Sequence, residues 1–263
     1  MKKYPWLFSV LFLVWVSCQK DTEPQVLLTP TQTAIAYSIN SNVGGYLEAL
    51  PTSYTAGTEK YPLFLFLHGA GEVGNGTTDI AKVESNGPPA LLKKQLFPSS
   101  FTVNGKTYSF IVISPQFRSW PTTTDIQAVL DHVLTKYRVD VSRIYVCGLS
   151  MGGGLTWDYA ATYPNRLAAI VPICGATSPL LPKAQSIAQG KLPVWAFHNQ
   201  DDSVVPVSNT TEFVAKINSQ NPSVAARMTI WPTGDHDAWT KATNPSYKEN
   251  GLNIYEWCLQ YQR

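Results

Sequence analysis

The sequence predicts an α/β fold: a mostly parallel, twisted sheet with antiparallel strands at its N-terminal edge and helices on both faces. Three observations predict it. Unbroken apolar runs of strand length recur along the chain, amphipathic helical patterns lie between them, and two opening segments mix apolar residues with Gly, Asn and Pro breakers. The 263 residues are 44% hydrophobic and 14% charged, a composition too apolar for a disordered polymer. No linker or internal repeat divides the chain, so residues 33–263 are expected to form one domain with a single fold.

Before that domain, Lys2 and Lys3 precede an apolar run over residues 6–16, too short to span a bilayer as a helix. This reads as an export signal over residues 1–17. The run ends in Val16-Ser17-Cys18, which resembles a lipoprotein cleavage box with Cys18 as the lipidated residue, although Trp15 departs from the Leu usual there. Residues 18–32 then read as a tether, and a surface or outer-membrane lipoprotein is expected, periplasmic or secreted otherwise. With Lys2 and Lys3 set aside, 18 basic residues face 18 acidic ones, so the surface is near neutral. Nucleic acid is not an expected partner, and membrane contact is expected only through the N-terminal lipid. Cys147, Cys174 and Cys258 have no paired short spacing, which argues against a disulfide framework or zinc site and for buried apolar positions.

The elements follow in order. Residues 34–39 and 45–50 suit a hairpin at the sheet edge. The run 61–67 suits a strand buried on both faces, and the pattern recurs at 110–113, 144–147, 168–171, 194–197 and 228–231. Ile126, Val129, Leu130, Val133, Leu134 and Tyr137 share one helix face, with a capping box expected from Thr124 to Gln127. His132 lies opposite that stripe and is expected in solvent. Further helices are expected near 152–163, 208–217 and 253–261. In open sheets of this type, ligands bind outside the carboxyl ends of the strands, so the loops after the apolar runs are the ones to read.

After the run at 144–147 comes Gly148-Leu149-Ser150-Met151-Gly152, a G-x-S-x-G at a strand-to-helix junction. The turn is so tight that side chains two residues before and after the serine would meet backbone. A serine hydroxyl needs a base to take its proton. Of four histidines, His68 and His132 precede Ser150, and His198 has only Asp158 between it and the serine, inside an expected helix. That leaves His236, in the loop after the last strand. Either Asp201 or Asp202, after the preceding strand, could orient its imidazole. Donors for an oxyanion are expected at the N–H of Met151 and of Ala70, with Gly71 close behind, in His68-Gly69-Ala70-Gly71-Glu72. Phe117, Trp120 and Trp239 follow strand ends and are candidate substrate-binding aromatics, with loop packing as the alternative.

These four separated segments resemble the α/β-hydrolase superfamily. Within it they resemble secreted esterases of the feruloyl and acetyl-xylan type and the related predicted-peptidase or phospholipase/carboxylesterase-like group. The likeness spans residues 43–261 and implies an α/β-hydrolase fold. The group's acid lies four residues before the Pro of D-x-V-V-P, which selects Asp202 over Asp201. Gly87-Pro88 and Ser114-Pro115-Gln116 match positions that imply cleft walls, Gln116 among them. One departure stands out: the usual His-Gly before the acid is here His198-Asn199. The resemblance implies a serine carboxylesterase that needs no metal or cofactor, acting on small esters or on acetyl or feruloyl esters of polysaccharide. A serine peptidase, or a glycan-binding protein on a retired hydrolase, is the alternative.

Overall fold

The structure, a computed structural model, describes residues 1–2 and 29–263. Apart from Met1 and Lys2, the expected export signal, Cys18 and the tether as far as residue 28 lie outside the described residues. Gln32, expected at the end of the tether, already belongs to the sheet, paired with Ala49.

The chain runs β1 (Gln32–Ile35), β2 (Val43–Ala49), β3 (Tyr61–Leu67), α1 (Gly87–Lys93), β4 (Phe101–Val103), β5 (Lys106–Tyr108) and β6 (Ile111–Phe117). It continues through α2 (Thr123–Lys136), β7 (Val139–Leu149), α3 (Met151–Thr162), β8 (Ala169–Ile173), α4 (Leu181–Gln189) and β9 (Trp195–Asn199). It closes with α5 (Ser208–Asn218), β10 (Arg227–Trp231), α6 (Trp239–Ala242) and α7 (Ile254–Cys258). Eight strands form one sheet in the order β1-β2-β6-β3-β7-β8-β9-β10, and β4 and β5 form a separate hairpin. From β6 to β10 all neighbours are parallel, whereas β1 and β2 are antiparallel, as expected of the opening edge.

β3 shows why an unbroken apolar run is needed at the sheet centre. Leu63, Leu65 and Leu67 enter the core beneath α2, α3, α4 and α5, while Phe64 and Phe66 enter the opposite core with residues of α1, β4 and α7. Successive side chains of a strand point to opposite faces, so both must be apolar when both are covered. The expected stripe of α2 is buried through Ile126, Val129, Leu130 and Val133. Its capping box is two residues earlier than expected: the Asp125 carboxylate accepts from the N–H and hydroxyl of Thr122. Asp125 also receives the amides of Asn40 and Asn42, which ties the helix start to the entry of β2 and favours this register. His132 is not a solvated residue. It is half-buried, stacked on Tyr37 at 4.6 Å and hydrogen-bonded to Tyr46 Oη at 3.2 Å. Cys147, Cys174 and Cys258 are buried and unpaired. Among the described residues no helix is long and apolar enough to cross a membrane.

The topology locates a crevice. From β3 the chain passes to β6 on one side, and from β7 to β8 on the other, so connections diverge between the adjacent strands β3 and β7. In parallel sheets such a switch point opens a ligand crevice at the carboxyl ends.

Candidate active site

β7 ends at Leu149 and α3 begins at Met151, so Ser150 alone turns the chain, with φ 52° and ψ −115°. A non-glycine residue there stores of order 1–3 kcal/mol and persists only if its surroundings over-determine it. They do so here: Ser150 N–H donates to Ile173 O, and Ser150 O accepts from Gly154 and Ala176 N–H, all at 2.9 Å. A Cβ on Gly148 would lie 2.3 Å from Gly152 O, and one on Gly152 would lie 2.1 Å from Leu67 O. Backbone contact therefore requires both glycines, as the motif implies.

Across the carboxyl ends, the Ser150 hydroxyl lies 2.9 Å from His236 Nε2, and His236 Nδ1 lies 2.8 Å from Asp202 Oδ2. The Asp202 side chain is fully buried, and its Oδ1 accepts from Val204 N–H at 2.9 Å and Val205 N–H at 2.8 Å. The geometry brings the imidazole to Asp202 and not to Asp201. Asp201 accepts instead from the N–H groups of Gly234 and Asp235. It fastens the loop that carries His236. Asp235 answers from that loop, accepting the N–H and hydroxyl of Ser203 at 2.9 and 2.6 Å. These bonds lower the Asp235 pKa, led by the Ser203 hydroxyl.

His198 holds a position not read from the sequence. Its buried imidazole lies behind the acid, with Nε2 3.0 Å from Val205 O and 3.1 Å from Asp202 Oδ2, and Nδ1 2.8 Å from Thr210 Oγ1. A carbonyl only accepts, so the hydrogen belongs on Nε2 and Nδ1 receives the Thr210 hydroxyl. Burial lowers its pKa, which favours the neutral ring. Asn199, the departure from the usual His-Gly, donates through Nδ2 to Asp235 O at 2.9 Å and so adds another tie between the two loops.

On the other side of Ser150, the loop after β3 is shaped by buried polar groups. His68 Nδ1–H donates to Gly69 O at 2.6 Å, Nε2 accepts from Phe117 N–H at 3.0 Å, and burial lowers its pKa to about 4. Ala70 begins a short 3-10 turn and Met151 begins α3. The first amide of a helix has no acceptor within that helix, so both N–H groups are of the kind an oxyanion can use.

A cleft of about 340 Å³ exposes Ser150 and His236 between Ala70, Leu149, Val204 and Trp239. Trp239 meets His236 edge-on, with ring centres 5.3 Å apart. The other three expected binding side chains do not line this cleft. Phe117 is fully buried against the His68 ring, at 5.2 Å between centres, and belongs to the core. Gln116 is buried too, with Nε2 donating to Glu72 O and Asp79 O while Oε1 accepts from Gly76 N–H. It braces the loop after β3 from behind and forms no wall. Trp120 is exposed on the loop after β6, outside the cleft at Ser150.

Among the described residues, Cys174, Asp202 and His236 bring potential metal-ligating atoms within 4.8 Å of one another. Burial raises the Cys174 thiol pKa well up, so the thiolate that metals bind is disfavoured. Asp202 and His236 are moreover bonded to each other.

The fold and this convergence at the switch point define a member of the α/β-hydrolase superfamily. Within it the chain belongs to the family described as phospholipase/carboxylesterase, whose profile matches residues 54–244. It is 27% identical over 138 residues to a bifunctional acetylxylan esterase/xylanase of Neocallimastix patriciarum, a match taking in 48% of this chain and 20% of that protein. It is similar in structure to a thermostable esterase, at 25% identity and a TM-score of 0.63, over 91% of this chain and 64% of the other. A feruloyl esterase module from Clostridium thermocellum shares the fold, at 19% identity and a TM-score of 0.56, over 81% of this chain and 86% of the module.

Proposed function

We propose that the protein is a serine carboxylesterase working through an acyl-enzyme, and the observation that carries this reading is the unbroken Ser150–His236–Asp202 chain of 2.9 and 2.8 Å contacts. Ser150 Oγ attacks the ester carbonyl while His236 Nε2 takes its proton. Asp202, held by two backbone amides, keeps the Nδ1–H tautomer in place and stabilises the imidazolium. The amides of Met151 and Ala70 receive the oxyanion, each such donor being worth ~10²- to 10³-fold in rate. His236 returns the proton to the departing alcohol, and water, activated by the same imidazole, releases the acid.

The names of the relatives support acetyl or feruloyl esters, polysaccharide-linked or small, as the substrate class. The N-terminal pattern supports an exported, lipid-anchored protein with Cys18 as the acylated residue. Ser150→Ala is expected to lower p-nitrophenyl acetate turnover by ~10⁶-fold, and a fluorophosphonate probe is expected to label Ser150 alone. Substantial turnover by Ser150→Ala, or peptide amides cleaved faster than esters, overturns the reading. Fatty-acid labelling that persists in Cys18→Ala overturns the anchor.

A further inference from the structure

Trp239 walls one side of the cleft, and what holds it lies on the opposite loop. Its indole Nε1–H, which can only donate, gives its hydrogen to Asn86 Oδ1 at 2.9 Å. Asn86 Nδ2 donates to Glu72 Oε1 at 2.5 Å, and Glu72 Oε2 accepts from Gly69 N–H at 2.7 Å. A carboxylate only accepts, so the residue between Glu72 and the indole must offer NH₂ to one and C=O to the other. A primary amide does both, and the two neighbours fix which way round it sits.

Backbone packing holds the amide in reach. Asn86 directly precedes α1, and the next residue, Gly87, has φ 61° with its α-carbon against the Phe66 ring, where a Cβ would fall 2.3 Å from Cζ. The bridge thus runs from the loop after β3 to the loop after β10 without passing through Ser150 or His236. Of the cleft's apolar walls, Val204 is 64% exposed and Leu149 is part of the sheet end, so the indole is the large surface whose position depends on a distant tie.

We propose that Glu72, Asn86 and Trp239 form a polarised strut that fixes the indole as a wall of the cleft, making Trp239 a specificity-determining residue for acyl size and Glu72 and Asn86 its positioning residues. Its kinetic consequence rests on the serine-esterase reading. Asn86 touches neither the nucleophile nor the base, yet its side chain sets how bulky an acyl group fits.

The polarity of the strut supplies its test. Asn86→Asp sets two carboxylates face to face, and Glu72→Gln sets two amide NH₂ groups face to face. The double variant Glu72→Gln/Asn86→Asp restores every bond with the direction between residues 72 and 86 reversed: Gln donates to Asp, Gln still accepts from Gly69, and Asp still accepts from the indole. Each single variant is expected to lower the ratio of kcat/KM for p-nitrophenyl acetate over p-nitrophenyl benzoate at least fivefold, and the double variant to return it to within twofold. A ratio unmoved by the single changes, or a double variant no better than Asn86→Asp, overturns the proposal. The ¹H–¹⁵N signal of the Trp239 indole, assigned by its loss in Trp239→Phe, gives a readout independent of turnover. It is expected to shift in each single variant and return in the double. A signal unmoved in Asn86→Asp sinks the strut even in a protein that hydrolyses no ester, whereas Ser150→Ala tests the esterase reading alone.

Discussion

The two halves of the cleft are built on different physical principles. The Ser150 half, around residues 148–154, is held chiefly by backbone pressed on backbone: there is no space for a Cβ at Gly148 or Gly152, and Ser150 is locked by three main-chain hydrogen bonds. The acid–base half, around residues 199–205 and 232–239, is held by side chains: Asp201 and Asp235 reach across in opposite directions, with Asn199 between them and Asp202 beneath. Steric exclusion is indifferent to pH and ionic strength, whereas carboxylate fasteners in exposed loops are not. Position is therefore set by volume at the Ser150 turn and held adjustably by polar ties around His236.

The sharpest way to break this comparison is at the acid itself. Asp202→Asn keeps the side-chain shape but stabilises the wrong imidazole tautomer, and kcat on p-nitrophenyl acetate is expected to fall ~10⁴-fold while the folded state persists. A loss under tenfold removes Asp202 from its assigned role. Next in size is a pH effect in the loop after β3, which buried polar side chains shape. The His68 imidazole falls from its ordinary 6.5 to about 4 through burial. The unfolded chain then binds the extra proton between those values, so the stability tied to this group is complete above 6.5. It is lost as pH falls through about 4, for a total of about 3 kcal/mol. Urea denaturation at pH 7 and at pH 4.5 should show the drop in the wild type and a flatter response in His68→Gln; equal slopes contradict it.

Gly152→Ala comes third, because the new carbon must displace the Leu67 carbonyl. A cost of ~1–3 kcal/mol is expected in chemical denaturation. Asp201→Ala, the counterpart in the other half, leaves two exposed amides to water and should cost about 1 kcal/mol or less, with kcat/KM down up to about tenfold. A larger destabilisation from Asp201→Ala than from Gly152→Ala reverses the contrast between the halves. Smallest is the acid limb of Asp235. Its folded pKa is depressed by the Ser203 hydroxyl and amide, so its support for the loop is present above the ordinary carboxylate range and vanishes as pH falls through the lowered value. Asp235→Asn should remove the matching dip in the thermal midpoint below that range.

What was legible in the sequence divides along similar lines. Strand-length apolar runs announced the parallel sheet because burial on two faces leaves no choice of composition, and the tight turn at Ser150 announced itself through its glycines. His236 and Asp202 followed from chain order and the family pattern. The helices α1, α4 and α6 and the β4–β5 hairpin were not foreseen: α1 opens Gly-Pro-Pro and α4 has Pro at its second residue, where proline suits a first helical turn but leaves no long amphipathic pattern, and α6 is a single turn. Phe117 was expected in the cleft because it follows a strand run, and Gln116 because the resemblance implies a cleft wall there, but both are the last residues of β6 itself and turn into the interior. The roles of Glu72, Asn86, Asp201 and His198 arise from contacts between separate loops, and no local spacing encodes those.

β1 carries a consequence for how the whole molecule can be held. Gln32 pairs with Ala49, and Ala49 pairs with Val112 near the start of β6, so the chain enters the sheet at the floor, opposite the rim where Ser150 opens to solvent. A partner fused directly at Thr29, whose hydroxyl donates to Gln95 O, would therefore join the folded body at the end of the sheet away from Ser150.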